Sequence, residues 1–409
     1  MTLTPQYIRL AKNIVALTVV KGSNFIIPLI TLPYLVRVLG LEGYGTISFA
    51  LSLAQFVAVC VQYGFNISAT RDIARDRHDP VLVDRHYTVV LSTSLLLALL
   101  TFSLYLLTIL LVPMFREHFW VFLFSGLYLA LQAITPVWLF QGLEKMQYIT
   151  YIHLTSRFIF LGSMLLLVTE STDVVYVPAL NMIATLIALI AALIACRSFL
   201  GVGLVSIAWA DIRSALQQGR DIFLAQFAPN LYKNASIFIL GIFTHEALVG
   251  AYSAALKLVE VAVSGAQILS AAAMPILSRN MSNHRLFSLV MCGAGLGLSI
   301  LLFAGADVIT SLLLQTTSEE LTLSLKVLAC SIFFVYCHTT FGINFLMLMG
   351  KQQVVKNFTL VISILGLGLL LILVPLYSYL AALLVVTLNR AAMATFSYGY
   401  YRRYRGLAA

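Results

Sequence analysis

Six charged or histidine residues fall well inside the long apolar stretches of this sequence, away from their ends, where a charged side chain needs a partner or water. Cations outnumber carboxylates among them. A charge that faced lipid at the membrane centre would cost at least about 2.5–3.5 kcal/mol. These side chains are therefore predicted to point into protein or into a water-filled cavity. They are Lys21, Lys233, Lys257, Glu260, His338 and Arg390.

The surplus of cations predicts a binding site for an anion. Lys257 and Glu260 are three residues apart on one helix face and could neutralise each other. The remaining ammonium and guanidinium groups would donate charge-assisted hydrogen bonds to a diphosphate in a water-filled cavity. The alternative is that each has a structural role or extends its charge towards the membrane surface. The predicted substrate-binding set is Lys21, Asn24, Lys233, Lys257 and Arg390.

Two of these residues are also candidates for proton coupling. Glu260 and His338 are titratable groups within apolar stretches, where such groups often form proton relays. A carboxylate close to a lysine is equally an ordinary ion pair, so both interpretations of Glu260 remain open. Single serine, glutamine and asparagine residues in these stretches are more typical of helix–helix hydrogen bonds, worth about 0.6 kcal/mol each.

Motifs for catalysis or cofactor binding do not occur in the sequence. It contains no phosphate-binding GxxxxGK[ST] loop, no HExxH zinc motif and no GxSxG nucleophile turn. The five cysteines have no CxxC spacing and are predicted to be small buried side chains. We therefore predict no cofactor, no metal site and no enzyme activity.

Membrane helices must position the charged residues. With 61% hydrophobic residues, 10% charged residues and a mean hydropathy of +0.96, this chain of 409 residues is predicted to be an all-α, multi-pass membrane protein. Twelve apolar stretches are counted as transmembrane helices; the fifth is short, and an extension back through His153 is the alternative. They are about 14–39, 46–66, 87–112, 119–140, 158–169, 174–195, 222–243, 248–277, 286–310, 324–349, 358–376 and 379–401.

The basic residues predict the orientation of these helices. They concentrate in alternate loops, and this pattern assigns Lys145 and Arg157 to a cytoplasmic loop and both chain termini to the cytoplasm. The net charge of +9 is spread over these segments rather than over one face, so no nucleic-acid partner is predicted. The Arg-rich segment Arg71–Pro80 is interpreted as a solvated loop.

An internal repeat predicts two parallel lobes. At an offset of 205, Gly45-x-x-Ser48-x-Ala50-Leu51-x-Leu53 aligns with Gly250-x-x-Ser253-x-Ala255-Leu256-x-Leu258. Six helices return the chain to the same side of the membrane, so the two halves are parallel repeats around a central cavity. The predicted divisions are 1–196 for the N-lobe, 197–221 for a cytoplasmic linker that suits a surface helix, and 222–409 for the C-lobe.

The opening of the chain resembles the Wzx-type O-antigen and polysaccharide flippases. The similarity lies in Lys12-Asn13-Ile14, in PLITLPYLVRVLGLEGYG from Pro28 to Gly45, and in PVWLFQGLEKMQYIT from Pro136 to Thr150. Pro28 and Pro33 in this opening also predict a kink in the first helix. The motifs cover the first 160 residues or so, whereas the second half resembles the family in topology and in the Gly350-Lys351 turn.

The resemblance implies a fold and a function. The family belongs to the multidrug, oligosaccharidyl-lipid and polysaccharide exporter superfamily, whose members have two six-helix lobes around a central cavity. The implied activity is translocation of undecaprenyl-diphosphate-linked O-antigen repeat units from the cytoplasmic to the periplasmic leaflet of a bacterial inner membrane by alternating access. Membrane lipids, an O-antigen polymerase and a chain-length regulator are the implied partners. Arg37, in the opening motif, is a candidate gate residue.

Two alternatives to this function are weighed. A multidrug cation antiporter of the same superfamily should carry surplus acids in its cavity, and this chain carries surplus bases. A membrane-embedded polysaccharide polymerase or ligase should have a larger outward loop with catalytic residues and would not require two parallel halves.

Overall fold

The protein is helical throughout the part of the chain that the structure describes. The computed structural model describes the backbone of residues 5–279, 281, 284–316 and 318–407, and side chains from residue 27 onward except 225–226, 228–233, 275–276 and 407. Regular structure in these residues consists of α-helices with short 3₁₀ and π segments. The predicted all-α class is therefore confirmed.

Fourteen α-helices follow one another along the described chain. They are α1 (Pro5–Gln62), α2 (Phe65–Asp76), α3 (Pro80–Leu111), α4 (Pro113–Glu117), α5 (Phe119–Ile134), α6 (Val137–Gly142), α7 (Met146–Leu167), α8 (Tyr176–Ser198), α9 (Trp209–Phe243), α10 (Glu246–Arg279), α11 (His284–Ala304), α12 (Ala306–Val308), α13 (Glu319–His338) and α14 (Gln352–Tyr404). A π-helical segment, Thr339–Leu346, continues α13.

The helices confirm a multi-pass membrane protein. Within the described residues, nine helical stretches are long and apolar enough to cross a membrane. They are Ile27–Asp76, Pro80–Leu111, Phe119–Gly142, Met146–Leu167, Asp173–Ser198, Glu246–Met274, His284–Ala304, Glu319–Leu346 and Gln352–Tyr404. The count of twelve transmembrane helices stays a prediction.

The two longest helices are each interrupted by one residue with a positive φ. In α1 the residue is Gly40 (φ 73°, ψ 177°), which has no Cβ and tolerates this backbone conformation. In α14 it is Ser378 (φ 56°, ψ −140°). The predicted kink falls on Pro28 and Pro33, but the backbone stays helical at both prolines and departs from helical geometry at Gly40. That position coincides with the predicted end of the first membrane span.

The predicted solvated loop over Arg71–Pro80 is wrong for its first half, because α2 extends to Asp76. Phe65, Ala69 and Ile73, four positions apart on α2, are buried and form one apolar face. This face packs on α6, where Ile73 fills the space beside Gly142. The arginines and aspartates occupy the exposed face, so the segment is an amphipathic helix.

The predicted fifth span, residues 158–169, is also wrong in its start. The helix there is α7, which begins twelve positions before the predicted start, at Met146, and ends at Leu167. At about 1.5 Å per residue, Arg157 lies about 15 Å from either end of α7. The structure therefore places Arg157 in the middle of a helix that is long and apolar enough to cross a membrane, not in a loop.

The linker between the two predicted lobes is shorter than the sequence suggests. Residues 199–208 lie between α8 and α9, and the rest of the predicted linker is the first part of α9, which continues to Phe243. Two hydrogen bonds attach the linker to α3. The Gly203 amide donates to the Asp84 carboxylate at 2.9 Å, and the Val205 amide donates to the Thr88 hydroxyl at 3.1 Å.

The chain divides into two compact units. The first unit comprises Met1–Ile27 and Ala50–Leu231, and the second comprises Pro28–Phe49 and Tyr232–Ala409. In the first unit α8 packs on α5 and α7, and α3 packs on α5. In the second unit α13 packs on α10, α11 and α14. The predicted divisions at 196 and 222 stay predictions.

Candidate functional site

Three of the five predicted substrate-binding residues lie outside the described side chains. They are Lys21, Asn24 and Lys233. The other two, Lys257 and Arg390, lie on α10 and α14 of the second unit and are half-buried. The structure therefore describes two of the five predicted residues, and the anion site stays a prediction.

Arg390 is held by a neutral hydrogen-bond partner in the interior of the second unit. Its guanidinium Nη1 donates to Ser331 Oγ of α13 at 2.8 Å, and Ser331, which is fully buried, donates its own hydroxyl to the Leu328 carbonyl at 2.5 Å. At about 1.5 Å per residue, Arg390 lies about 18 Å along α14 from the break at Ser378. This hydrogen bond orients the Arg390 side chain. Because its partner is a neutral hydroxyl, the bond does not neutralise the positive charge.

Lys257 and Glu260 both have interaction partners in the structure. Glu260 lies near the phenol of Tyr44, which hydrogen-bonds to Ser48. Tyr44 and Ser48 belong to the part of α1 that packs in the second unit. The carboxylate predicted for proton coupling therefore lies in a polar cluster formed by α1 and α10, and its role stays a prediction.

His338 occupies the last position of α13, directly before the π-helical segment. Its Nδ1 lies 2.8 Å from Ser397 Oγ, and the Ser397 hydroxyl donates to the Met393 carbonyl at 2.7 Å. A hydroxyl has one proton, so Nδ1 of His338 is the donor in the first bond. This arrangement leaves Nε2 as the ring position that could take up a proton.

Arg37, the candidate gate residue, is exposed and lies on α1 just before the break at Gly40. The structure gives no contact of Arg37 with the polar cluster of Tyr44 and Glu260 among the residues it describes. Its predicted role as a gate is therefore untested.

The internal repeat reappears in the structure as a reciprocal helix contact in the second unit. A Cβ placed on Gly45 would clash with the Glu246 carbonyl and would lie 2.8 Å from the amide nitrogen of Gly250. A Cβ placed on Gly250 would clash with the Leu41 carbonyl and would lie 3.1 Å from the amide nitrogen of Gly45. Leu41 and Glu246 are 205 positions apart, as the two glycines are, so they too are equivalent residues of the repeat. Equivalent residues of the two repeats therefore meet as they would around a local two-fold axis.

Sequence analysis missed a polar pocket in the first unit. Arg157 of α7 lines this pocket together with polar residues of α5, α7 and α8, among them Gln132, His153 and Asn181. The positive-inside rule assigns Arg157 to a loop, and His153 is predicted only as a residue through which the fifth helix could extend. A helical-wheel comparison could have found the pocket, since His153 and Arg157 are four residues apart and share a helix face.

Ion pairs join α2 and Arg77, the residue that follows it, to neighbouring segments of the first unit. His86 Nε2 of α3 lies 2.8 Å from the Asp76 carboxylate of α2. Arg77 Nη1 donates to the Glu144 carboxylate at 2.6 Å, and both side chains are more than one third exposed. Exposed pairs of this kind contribute roughly 0–1 kcal/mol each, so they orient α2 more than they stabilise the fold.

A cavity of about 410 Å³ lies between α2, α3 and the start of α9. Arg85 of α3 donates to the Asp211 carboxylate at 2.9 Å across it. The amide of Ala208 and the guanidinium of Arg85 donate to that carboxylate and hold the pKa of Asp211 below its usual range. The carboxylates and guanidinium groups around this cavity are largely paired with each other, so they do not form an anion site comparable to Arg390.

The amino-acid sequence matches a known protein family over most of its length. Residues 10–281 match the family described as polysaccharide biosynthesis protein. The chain is 27% identical over 378 residues to a "Putative O-antigen transporter" of Escherichia coli (strain K12), which covers 90% of each chain. It is 28% identical over 269 residues to a protein of the same name from Shigella dysenteriae, covering 66% of this chain and 67% of that protein.

The fold matches solved structures of MATE transporters. An inward-facing multidrug resistance MATE family transporter of the MOP superfamily superimposes with a TM-score of 0.69 at 12% identity, covering 97% of this chain and 98% of that one. A eukaryotic MATE transporter superimposes with a TM-score of 0.57 at 11% identity, covering 98% of each chain. At these identities the likeness concerns the fold alone, and it confirms the predicted fold class.

Proposed function

Because the chain belongs to the polysaccharide biosynthesis protein family, we propose that it is a polysaccharide flippase. Its substrate would be an undecaprenyl-diphosphate-linked O-antigen repeat unit, moved from the cytoplasmic to the periplasmic leaflet of the bacterial inner membrane. The observation that carries this proposal is the match to the O-antigen transporter of Escherichia coli, which extends over nearly the whole of both chains. No covalent bond changes, so the protein is not an enzyme in this proposal.

The chemistry of the substrate fits the cations within the membrane helices. A diphosphate must cross a medium of low dielectric constant, and hydrogen bonds from guanidinium and ammonium groups offset part of that cost. Arg390 supports this proposal because, in the described part of the chain, its guanidinium donates to a neutral hydroxyl group, that of Ser331. The proposed substrate-binding set remains Lys21, Asn24, Lys233, Lys257 and Arg390.

We propose alternating access as the mechanism. In parallel-repeat transporters the two halves move largely as rigid bodies around a fixed binding site. The reciprocal contact of Gly45 with Gly250 supports the parallel repeat that this mechanism requires, because equivalent residues of the two repeats meet there. Glu260 and His338 are the proposed proton-coupling residues, and Arg37 is the proposed gate.

The proposed cellular setting follows from the same family. Both termini would be cytoplasmic, and the basic segment of α2 and the linker before α9 would face the cytoplasm. An O-antigen polymerase and a chain-length regulator would act on the translocated repeat units and are the proposed partners. The surplus of basic residues disfavours a multidrug cation antiporter, for which surplus acids would be expected.

A genetic experiment tests the proposal. The gene is deleted in its own host, and lipid-linked repeat units and surface O-antigen are measured with and without a plasmid copy. The proposal predicts that the deletion strain loses surface O-antigen and accumulates lipid-linked repeat units. The plasmid copy should return both quantities to their wild-type levels. Normal surface O-antigen in the deletion strain, with no second transporter gene active, would contradict it.

The contribution of the membrane cations can be tested in the same strain. Single replacements of Lys21, Lys233 and Arg390 by alanine should each lower surface O-antigen while the protein is still present in the membrane. Wild-type levels for all three variants would remove the proposed role of these charges in binding the diphosphate.

A further inference from the structure

A small polar pocket is enclosed by three helices of the first unit. It lies between α5, α7 and α8, which pack closely on one another. Its volume is about 20 Å³ when only the space open to the centre of a water-sized sphere is counted. One water molecule needs about 10–15 Å³ of such space, so the pocket has room for one. Polar side chains from all three helices line it: Tyr128, Gln132, His153, Arg157, Asn181 and Thr185.

Arg157 brings a positive charge into this pocket without a carboxylate partner. The side chain is half-buried, and no ion pair or hydrogen bond joins it to another residue in the described part of the chain. All aspartate and glutamate side chains of the sequence belong to that part. An arginine near the middle of a membrane helix pairs with an acid, a carbonyl group, water or a ligand. Here no acidic side chain of the protein pairs with Arg157.

The remaining groups of the pocket are suited to an oxygen-rich ligand. The Ser156 hydroxyl donates to the Ala184 carbonyl at 3.1 Å, and this bond fixes α7 against α8 beside the pocket. Asn181 donates one amide proton to the Val177 carbonyl of its own helix at 3.2 Å. Its second amide proton remains free to donate, as do the amide protons of Gln132, for which the structure shows no hydrogen bond in its described part.

We propose that this pocket binds one anionic oxygen group, a phosphate or a carboxylate, with Arg157 as its ionic partner. One ligand oxygen replaces the water for which the pocket has room, and the Gln132 and Asn181 amides donate to it. This inference rests on the proposed function, in which the ligand is part of the lipid-linked repeat unit. The phosphate would come from its diphosphate and the carboxylate from an acidic sugar.

Binding to the purified protein in lipid nanodiscs tests the inference. The probes are farnesyl diphosphate, glucuronic acid and, as the uncharged control, glucose, each followed by calorimetric titration. The wild-type protein should bind at least one of the two anions more tightly than glucose. Arg157→Gln should weaken that binding at least about tenfold, as expected for loss of a hydrogen-bonded charge. The matched variant Arg116→Gln, at an exposed arginine, should bind like wild type.

The two anions separate the two sources of the ligand. Selective binding of farnesyl diphosphate would identify the diphosphate, and selective binding of glucuronic acid would identify a sugar acid. If the wild-type protein binds neither anion, or if Arg157→Gln binds as tightly as wild type, the inference is wrong. Should Arg157→Gln fail to fold, Gln132→Ala must weaken anion binding instead, and unchanged binding by a folded Gln132→Ala protein overturns the inference.

The result can be separated from the outcome for the proposed function. If the protein binds an anion through Arg157 but does not restore surface O-antigen in the deletion strain, the pocket inference holds and the flippase proposal is wrong. If the Arg157→Gln variant restores surface O-antigen fully, the flippase proposal holds and the pocket inference is wrong.

Discussion

Replacement of Gly45 by alanine tests the contact at which the two repeats meet. The added Cβ would point at the carbonyl oxygen of Glu246 and lie 2.8 Å from the amide nitrogen of Gly250. Both obstacles are backbone atoms, which cannot rotate away as a flexible side chain does. The helices α1 and α10 must therefore separate at this point for the methyl group to fit.

The expected effect is the difference of two opposing contributions. Overpacking a close contact costs about 1–3 kcal/mol, and the rigid obstacles place Gly45→Ala in the upper part of that range. Replacing glycine by alanine inside a helix gains about 0.5–1 kcal/mol. The free energy of unfolding should therefore fall by about 1–2 kcal/mol.

Gly297→Ala in α11 is the matched control. A Cβ at Gly297 meets no atom within 4 Å, so only the gain in helix propensity applies there. Gly45→Ala should then be less stable than wild type and Gly297→Ala more stable. Their free energies of unfolding should differ by about 2–3 kcal/mol. Equilibrium unfolding of the purified proteins in mixed micelles, followed by circular dichroism, measures this difference.

The repeat symmetry adds a second criterion. Gly250→Ala should cost about as much as Gly45→Ala, because each added methyl group meets the equivalent carbonyl of the other helix. The double variant should cost less than the sum of both, since one separation of the helices accommodates both methyl groups. A Gly45→Ala protein as stable as Gly297→Ala would refute the close contact and the symmetric contact between the repeats derived from it.

Three further predictions concern contacts of single side chains. Arg390→Gln should reduce surface O-antigen strongly in the deletion strain, whereas Ser331→Ala, which keeps the charge and removes its 2.8 Å partner, should reduce it less. Tyr105→Phe removes a buried hydroxyl that donates to a carbonyl of α5 at 2.6 Å, so unfolding free energy should fall by about 1 kcal/mol in the micelle assay. Cys292 and Cys337, whose sulfur atoms lie 3.6 Å apart, should form a disulfide with a membrane-permeable oxidant, and maleimide labelling of the unfolded protein should then find two fewer thiols than before oxidation.

The fold class and the membrane character could be predicted from the sequence because they depend on average composition. A chain with so few charged residues cannot cover a water-soluble surface, and long apolar runs become helices whatever their neighbours are. The repeat could also be found, because Gly45 and Gly250 keep their identity in both halves. The structural reason for that identity, a backbone contact that leaves no space for a Cβ, is visible only in three dimensions.

Helix boundaries at polar positions could not be predicted from hydropathy. The fifth span is placed too late because His153, Ser156 and Arg157 interrupt the apolar run, although all three lie within α7. All three line a polar pocket that α5 and α8 complete, and a hydropathy window contains no information about those neighbours. The amphipathic α2 was missed for the related reason that its arginines dominate its average polarity.

The candidate anion site could be predicted in its residue types and only partly in its geometry. The sequence identified Arg390 as an intramembrane cation, but its partner Ser331 lies on another helix and no spacing rule connects the two. Arg157 was assigned by the positive-inside rule to a loop. That rule describes the average placement of charges and cannot recognise a single arginine that a pocket retains within the membrane.

Transport by the purified protein tests the central claim most directly. The protein is reconstituted into liposomes with a lipid-linked oligosaccharide that is initially confined to the inner leaflet, and a membrane-impermeant glycosidase in the outer medium reports its appearance outside. The flippase proposal predicts cleavage of far more than the fraction cleaved in protein-free liposomes, with a clear loss of rate for Arg390→Gln. Cleavage at the protein-free level, with correctly folded protein in the liposomes, would contradict the proposal.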